Sequence, residues 1–518
     1  MKTPYPVQIL AGILSCCFPQ GYSQKKVHRR TEYGHNMGFD HNTGYGHNTA
    51  YGHNTEHSHN TEHSHSKHPS PTRPINKITV ALTSFHGDGY RGNTRILFER
   101  LCGHPSIRPV WLSRNRKLVE DLKNTFGDDR ACLAHSLAGI RTLLNASAVF
   151  LTHGTSDYPF LRLPRHALII QAYHGLPTKR GEYLRPGTDK PPGFFHRKIL
   201  EYRFQPITHF LSSSPLVTKL FSSRFNLPAQ KFLETGYPAY DALISRNISR
   251  LNSGQNSRRI SRHCSPNFHH HTPRQFPRNI PHHIPRQNSG RFSHLISLRK
   301  AQEESPSAKP DAFTQLWPDA PHADKLILYA PTFRRRTRTR WFPFEDFSIN
   351  EISAFLEERN ALLAIRPHPN EDADIRKFVA KCPRIVGAGQ AVIEDVLDLI
   401  PSVDAIMTDY SSIYIEGLLL DIPVVFLPYD LGSYERGLPL PFEQMSAGSS
   451  VISQKEMLGA LDKALRRSDG YEQERTRVRD LYFSLLDGNA TGRIVQFLEQ
   501  SLINRPDSNP ENRPGQAG

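Results

Sequence analysis

Short apolar runs that stop abruptly at small or polar residues recur along this chain, and they constrain its fold more than any other feature. Ile78-Thr-Val-Ala-Leu leads into the glycine-rich His86-Gly-Asp-Gly-Tyr-Arg-Gly, and the apolar periodicity of Ile96, Leu97 and Leu101 follows. That succession is a strand, a loop and a helix. Ala148-Val-Phe-Leu-Thr, Ala167-Leu-Ile-Ile-Gln and His209-Phe-Leu-Ser-Ser repeat the pattern. A second block does the same with Leu326-Ile-Leu-Tyr-Ala, Leu362-Leu-Ala-Ile-Arg, Val403-Asp-Ala-Ile-Met and Val424-Val-Phe-Leu. Helical stretches lie between these runs at Asn350 to Asn360 and Ile413 to Leu420, and a helix-rich stretch runs from Gln454 to Leu502. Strands buried on both faces read as continuous apolar runs, so the expected fold class is α/β with parallel sheets, whose ligands bind at the C-terminal strand ends. Two such blocks facing each other enclose a cleft, the default place for a substrate.

The remaining sequence cannot build a core. Glu32 to Lys67 divides into six hexads rich in His, Asn, Gly, Ser and Thr, so residues 1–74 read as a disordered His-rich tail. Residues 246–312 are rich in Arg, His, Asn, Ser and Pro and read as a basic disordered insertion, and 503–518 as a disordered tail. Two α/β domains are left, 75–245 and 313–502. The net charge of +16 invites a nucleic-acid reading, but Arg246 to Lys300 holds ten Arg and one Lys with no acidic residue, and so supplies most of it. No specific nucleic-acid partner is expected. The six cysteines Cys16, Cys17, Cys102, Cys132, Cys264 and Cys382 form no CxxC pair and no zinc-like spacing, which points to reduced thiols in a cytosolic protein. The run Ile9 to Leu14 after Lys2 is too short and too weakly charged for a convincing secretory signal, and no segment has the apolar length of a spanning helix.

Three polar constellations sit directly after apolar runs. In Gln171-Ala-Tyr-His174-Gly175-Leu-Pro177-Thr-Lys179, a histidine in a tight turn at the cleft mouth could take a proton from a hydroxyl, and Lys179 could meet a phosphate. Arg366-Pro-His368-Pro offers a guanidinium fork and an imidazole on a stiff backbone, both suited to a leaving diphosphate. Thr408-Asp409-Tyr-Ser411-Ser412 enters the apolar helix, where hydroxyls, free N–H groups and the helix dipole can hold phosphate without metal, and Glu416 lies one turn on. Thr332 and Arg334 follow another strand, and Arg335, Arg336, Arg338 and Arg340 extend a basic loop. His153-Gly-Thr-Ser-Asp157 is a secondary candidate for lining the cleft. A turn-capping His, a rigid surface turn and a plain helix cap are the bland alternatives to the three main readings. The chain lacks a Walker A loop, HExxH and GxSxG.

The order of motifs resembles the CDP-glycerol:poly(glycerophosphate) glycerophosphotransferase family of teichoic-acid-type polymer synthesis. The resemblance is carried by QAYHGLPTK, LETGYPAYD, ILYAPTFR, IRPHP and IMTDYSSIYIEGLLLDIPVVFLPYD, followed by Tyr434-Glu-Arg436-Gly437. It implies a GT-B-like fold, two Rossmann-type domains facing a central cleft, with the donor nucleotide held mainly by the C-terminal one. It implies transfer of glycerol phosphate or a related polyol phosphate from CDP-glycerol or CDP-ribitol to a hydroxyl of a lipid-linked or glycan acceptor, with CMP released. By the same resemblance His174 is the base, His368 contacts the donor diphosphate, and Thr408, Ser411 and Ser412 lie in the phosphate-binding motif. The expected site is therefore His174 and His368 for catalysis, with Lys179, Thr332, Arg334, Arg366, Thr408, Asp409, Ser411, Ser412 and Glu416 around the donor and no protein metal site. Mg²⁺ assistance is compatible with the reaction, although no Asp cluster demands it. The implied location is cytoplasmic, peripheral on the inner face of the bacterial membrane. The chain departs from the family's common HGTPLK with His-Gly-Leu-Pro-Thr-Lys, and has Ala239 where Arg often follows Tyr-Pro. A GT-B glycosyltransferase using a nucleotide sugar is the rival reading, and a non-catalytic polyanion- or RNA-binding protein a remote one.

Overall fold

Strand β1 (Ile78–Leu82) lies between two parallel neighbours, β2 (Ile107–Ser113) and β4 (Ala148–Leu151), with register partners Val80 and Pro109 on one side and Val80 and Ala148 on the other. The computed structural model describes residues 77–159, 161–180, 192–252, 309–334, 337–368, 371, 374–434 and 436–503. In the first lobe β3 (Ala131–Leu133), β5 (Leu168–Gln171), β6 (His209–Leu211) and β7 (Phe232–Leu233) complete a parallel sheet of order β3-β2-β1-β4-β5-β6-β7. The second lobe orders β8 (Lys325–Tyr329), β9 (Ala361–Ile365), β10 (Ile385–Gly387), β11 (Ala405–Thr408), β12 (Val424–Phe426) and β13 (Gly448–Ser450) as β10-β9-β8-β11-β12-β13, again parallel throughout. Two helix-flanked parallel sheets are the GT-B-like arrangement expected from the motifs.

The apolar runs become strands because both their faces find a core. In β8, Leu326 and Leu328 face one apolar cluster while Ile327 and Tyr329 face another, and β9 and β11 alternate in the same way. The first cluster continues through the first lobe, from Val80 to Leu498. Strand β2 escapes the sequence reading because Pro109 lies within it, and proline cannot donate to a ladder. Trp111 N–H reaches out of β2 to the Arg130 carbonyl, at the point where β3 begins. Pro109, two residues earlier, places its missing donor on the same side before any neighbour arrives, so nothing is lost.

Helix boundaries follow local chemistry. Pro215–Phe225 starts on Ser214, whose hydroxyl accepts from Val217 N, carries Pro at its first position, and stops at left-handed Asn226 (φ 52°). Ile349–Glu358 starts on Ser348 in the same manner. The helix expected over Ile413 to Leu420 is shorter. It runs Ile413–Gly417 and tightens into a 3₁₀ turn at Leu418–Leu420, because Asp421 turns left-handed (φ 53°) and is held by Arg475. The helix-rich end resolves into Gln454–Leu465, Glu472–Tyr482 and Ala490–Leu498. The last of these returns to the first lobe, where the Asp241 carboxylate accepts from Ala490 N (2.9 Å), Thr491 N (2.8 Å) and Thr491 Oγ1 (2.6 Å). Ser213 adds its hydroxyl to the Tyr482 carbonyl at 2.7 Å.

The His-rich tail, the C-terminal tail from 504, Arg335, Arg336 and Pro369 lie outside the described residues. Of the basic segment, the described parts are the end of the helix Asp241–Asn252 and the start of the helix Lys309–Leu316. Cys102 and Cys132 are half-buried against the core and Cys382 is fully buried, all three as free thiols. Among the described residues no helix is long and apolar enough to cross a membrane.

Candidate active site

Each sheet reverses its winding at one point, between β1 and β4 in the first lobe and between β8 and β11 in the second, and loops leaving adjacent strands there part to form a crevice. Both crevices are tied by an aspartate. In the second lobe Asp409, after β11, accepts Thr332 N, after β8, at 2.8 Å. In the first lobe Asp157, after β4, accepts His86 N, after β1, at 2.8 Å.

His174 follows β5 and leans over the first of these points. Its Nδ1 donates to the Thr152 carbonyl at 3.0 Å. A carbonyl only accepts, so the proton sits on Nδ1 and Nε2 is the basic nitrogen. The ring stacks on His153, with centroids 3.8 Å apart and planes 5° from parallel, and on Tyr173 at 4.2 Å. Tyr173 is left-handed (φ 52°), which turns the chain sharply so that His174 projects from the strand end. Burial, then the adjacent His174 imidazole, hold His153 well below its usual pKa and therefore neutral.

A cavity of about 220 Å³ opens beside His174 along the seam between the lobes. Arg366 and Glu416, both anticipated, line it, together with Arg91, Asn93, Tyr240 and Asp395. Arg366 donates Nη1 to the Ala388 carbonyl (2.7 Å) and to that of Ile393, and Nη2 to Glu394 O (3.3 Å). Its guanidinium thus braces the loop after β10 at the edge of the cavity that the residue lines. Glu416 is 6 % exposed and accepts from Tyr240 of the other lobe at 2.9 Å. Burial pushes its carboxyl up to about 8. The seam is also pinned by Gly92 N on Asp395 (2.9 Å) and by Arg95 on Asp398 (2.9 and 3.2 Å).

The segment Thr408 to Ser412 meets this site directly. A Cβ added to Gly175 would lie 3.4 Å from Ser412 Oγ, so the turn carrying His174 packs against the start of the helix Ile413–Gly417. Ser412 has helical backbone angles and makes no side-chain capping bond, and Ser411 beside it is half-buried. Thr408 is committed elsewhere, its hydroxyl donating to the Ala330 carbonyl at 2.8 Å. Arg334 is 2 % exposed and wholly engaged, with Nε and Nη2 on Asp430 at 2.8 Å each, Nη2 on Asp409 at 2.9 Å and Nη1 on Thr332 O at 2.6 Å. Thr332 Oγ1 is buried without a hydrogen-bond partner. Lys179 is half-buried near Arg436 and Asp409, and desolvation, reinforced by the Arg436 charge, draws its ammonium down to about 7. The next residue, Arg180, crosses to the other lobe, with its N–H on Gly437 O and Nε on Leu438 O, both at 3.1 Å. His368 is exposed, stacks on Phe333 at 4.3 Å and lies outside the residues lining the cavity.

Sequence reasoning misses the seam residues Arg91, Asn93, Tyr240 and Asp395. The glycine-rich stretch after β1 is the one signal that leads toward the first two. Of the secondary candidates on sequence, His153 lies against His174 and Asp157 accepts the His153 N–H at 2.9 Å. With His86 they form the group of possible ligands closest to a metal site among the described residues, all within 4.8 Å. Two imidazoles and a carboxylate already bonded to backbone N–H groups do not make the oxygen shell that Mg²⁺ takes.

A family model described as CDP-Glycerol:Poly(glycerophosphate) glycerophosphotransferase matches residues 67–261 and 319–500. The chain belongs to this family. It is a glycerophosphotransferase-like enzyme that carries a CDP-activated polyol phosphate to a polymer acceptor. It is 24% identical over 443 residues to a teichoic acid glycerol-phosphate transferase of Staphylococcus aureus, covering 82% of this chain and 93% of that one. It is 25% identical over 448 residues to a teichoic acid ribitol-phosphate primase of Bacillus spizizenii, covering 84% and 94%. The wall teichoic acid polymerase TagF shares the fold at a TM-score of 0.56, with 18% identity over 83% of this chain and 89% of that one. A TagF crystal soaked with CDPG superposes at 0.58, with 18% identity over 83% and 90%.

Proposed function

We propose that this enzyme transfers glycerol phosphate or ribitol phosphate from its CDP ester to a hydroxyl of a lipid-linked or glycan acceptor, with His174 as general base and the β8–β11 crevice as the donor phosphate site. The observation that carries this reading is the meeting of His174, its basic Nε2 set by the Thr152 carbonyl, with Ser412 across Gly175, beside a seam cavity lined by Arg366 and Glu416. The acceptor oxygen attacks the phosphorus that bears the polyol and forms the new O–P bond. The bond from that phosphorus to the bridging oxygen breaks, CMP leaves with the electron pair, and Nε2 takes the hydroxyl proton. Ser411, Ser412, Lys179 and the Arg366 charge stabilise the diphosphate as charge moves onto the leaving group. His368 approaches the donor from the rim, on its Phe333 stack. Arg334, Asp409 and Thr408 act by shaping the crevice, since their polar groups are turned toward protein, and Thr332 joins them through its N–H on Asp409.

Contact with the inner face of the cytoplasmic membrane belongs to the same proposal. It is supported by the helix Phe194–Phe204, which exposes Phe194 (59 %), Phe195 (70 %) and Tyr202 (67 %) beside Arg197 and Lys198. Aromatics among cations suit an anionic lipid surface, with the acceptor's lipid end nearby. The test is release of radiolabelled CMP from CDP-glycerol and from CDP-ribitol, with a membrane fraction as acceptor, for wild type and His174→Ala. Release with one donor that falls by about 10²- to 10⁴-fold in the variant is the expected result. A folded wild type that releases CMP from neither donor overturns the proposal.

A further inference from the structure

We infer that Asp157 is the positioning residue for the base, acting through Thr152 and His153 to fix the His174 imidazole; the inference rests on His174 being that base. Asp157 is 1 % exposed and carries no part of the proposed chemistry. Its Oδ2 accepts the consecutive amides of Thr152 (2.5 Å) and His153 (2.9 Å), its Oδ1 accepts His86 N (2.8 Å), and the Thr152 hydroxyl lies 3.2 Å from Oδ2. A buried carboxylate satisfied by this many fixed donors locks the backbone that supplies them.

The two residues whose amides end on Oδ2 are the two that restrain His174. Thr152 presents the carbonyl that holds Nδ1, which sets rotation within the ring plane and fixes the tautomer. His153 presents the ring stacked 3.8 Å away, which sets the plane itself. One carboxylate oxygen therefore governs both constraints on the direction in which Nε2 points. Phe85 closes the arrangement, since its N–H donates to Thr152 Oγ1 at 2.9 Å and its ring lies 5.7 Å from His174. The second lobe uses the same device. Asp409 ties Thr332 N across its own switch point, and the segment it fixes leads into Ser411 and Ser412. Each half of the reaction, base and phosphate site, thus has an aspartate that braces it without touching substrate.

Asp157→Asn keeps the size of the side chain but replaces one acceptor oxygen with an NH₂ that faces backbone donors. Displacement of a reacting group by about 1 Å can cost on the order of 10²-fold in rate. The expected result is a fall in kcat of about 10- to 100-fold, with the KM of the donor little changed because Asp157 bonds to none of the residues proposed to hold its phosphates. The decisive measurement is a double-mutant cycle on CMP release, using whichever of CDP-glycerol and CDP-ribitol wild type consumes. Asp157→Asn in a His174→Ala background should lose nothing further, because a bracket has no effect once the group it positions is gone. Losses that multiply in the double variant show that Asp157 acts on its own, and overturn the inference. Full activity in His174→Ala alone sinks the base assignment instead, a result that Asp157 plays no part in. His153→Ala leaves the carboxylate in place and covers the case in which Asp157→Asn does not fold. It should lower kcat by roughly 3- to 10-fold, again only when His174 is present, and an unchanged kcat overturns the inference.

Discussion

Glu416→Gln should make this enzyme more stable, by an amount that grows as pH rises from about 4.5 to about 8. The carboxyl lies at the lobe seam, almost sealed from solvent, with Tyr240 O–H as a short partner and Asp395 nearby as a like charge. Burial raises it from an ordinary 4.5 to about 8. Between those two values the folded chain holds a proton that the unfolded chain has released. Stability therefore falls as pH rises through the window, by about 1.4 kcal/mol per pH unit for this one group. Above pH 8 the accumulated cost has an upper bound of roughly 5 kcal/mol. Glutamine keeps the oxygen that accepts from Tyr240 and never ionises, so it removes the cost without removing the bond. Thermal unfolding of wild type and variant should coincide within about 1 °C at pH 5, and the variant should melt on the order of 5 °C higher at pH 8.5. Equal separations at both pH values, or a variant that melts lower at pH 8.5, would refute the reasoning, because either result means that Glu416 is ionised in the folded protein at neutral pH.

Two further outcomes follow from charges near the proposed donor site. Arg334→Met leaves Asp409 and Asp430 without the guanidinium they share, and should cost about 3 to 5 kcal/mol of stability in urea titrations; a loss below about 1 kcal/mol would mean that the guanidinium is replaceable by water. Lys179, drawn down to about 7, is cationic below that pH and neutral above it, so donor affinity should weaken as pH rises from 6 to 8 in wild type. Lys179→Met should bind more weakly at pH 6 and lose that pH dependence, and an unchanged slope in the variant would remove Lys179 from the phosphate site.

The strand ends were legible in the sequence because they are local. An apolar run buried on both faces writes itself as a run, and the polar residue after it falls at a loop wherever the strand lies in the sheet. Hence Ile78–Leu82, Leu168–Gln171 and Val424–Phe426 could be read directly, as could the placement of His174, Arg366 and Ser412 just past strands. The short strands β3, β10 and β13 were not, because three residues carry no periodicity and become strands only beside a longer neighbour.

What the tertiary structure alone decided is which polar groups face substrate and which face each other. Arg334 looks like a phosphate ligand in the sequence, yet Asp409 and Asp430, 75 and 96 residues away, consume its charge. Asp157 looks like part of a cleft-lining loop, yet its carboxylate turns onto backbone amides. The seam from Gly92 to Asp395 and the return of Ala490–Leu498 to the first lobe join residues hundreds of positions apart. Such pairings depend on the order and register of whole sheets, and no window of sequence contains both partners. Sequence therefore determined where reactive side chains emerge, and only packing determined what each of them meets.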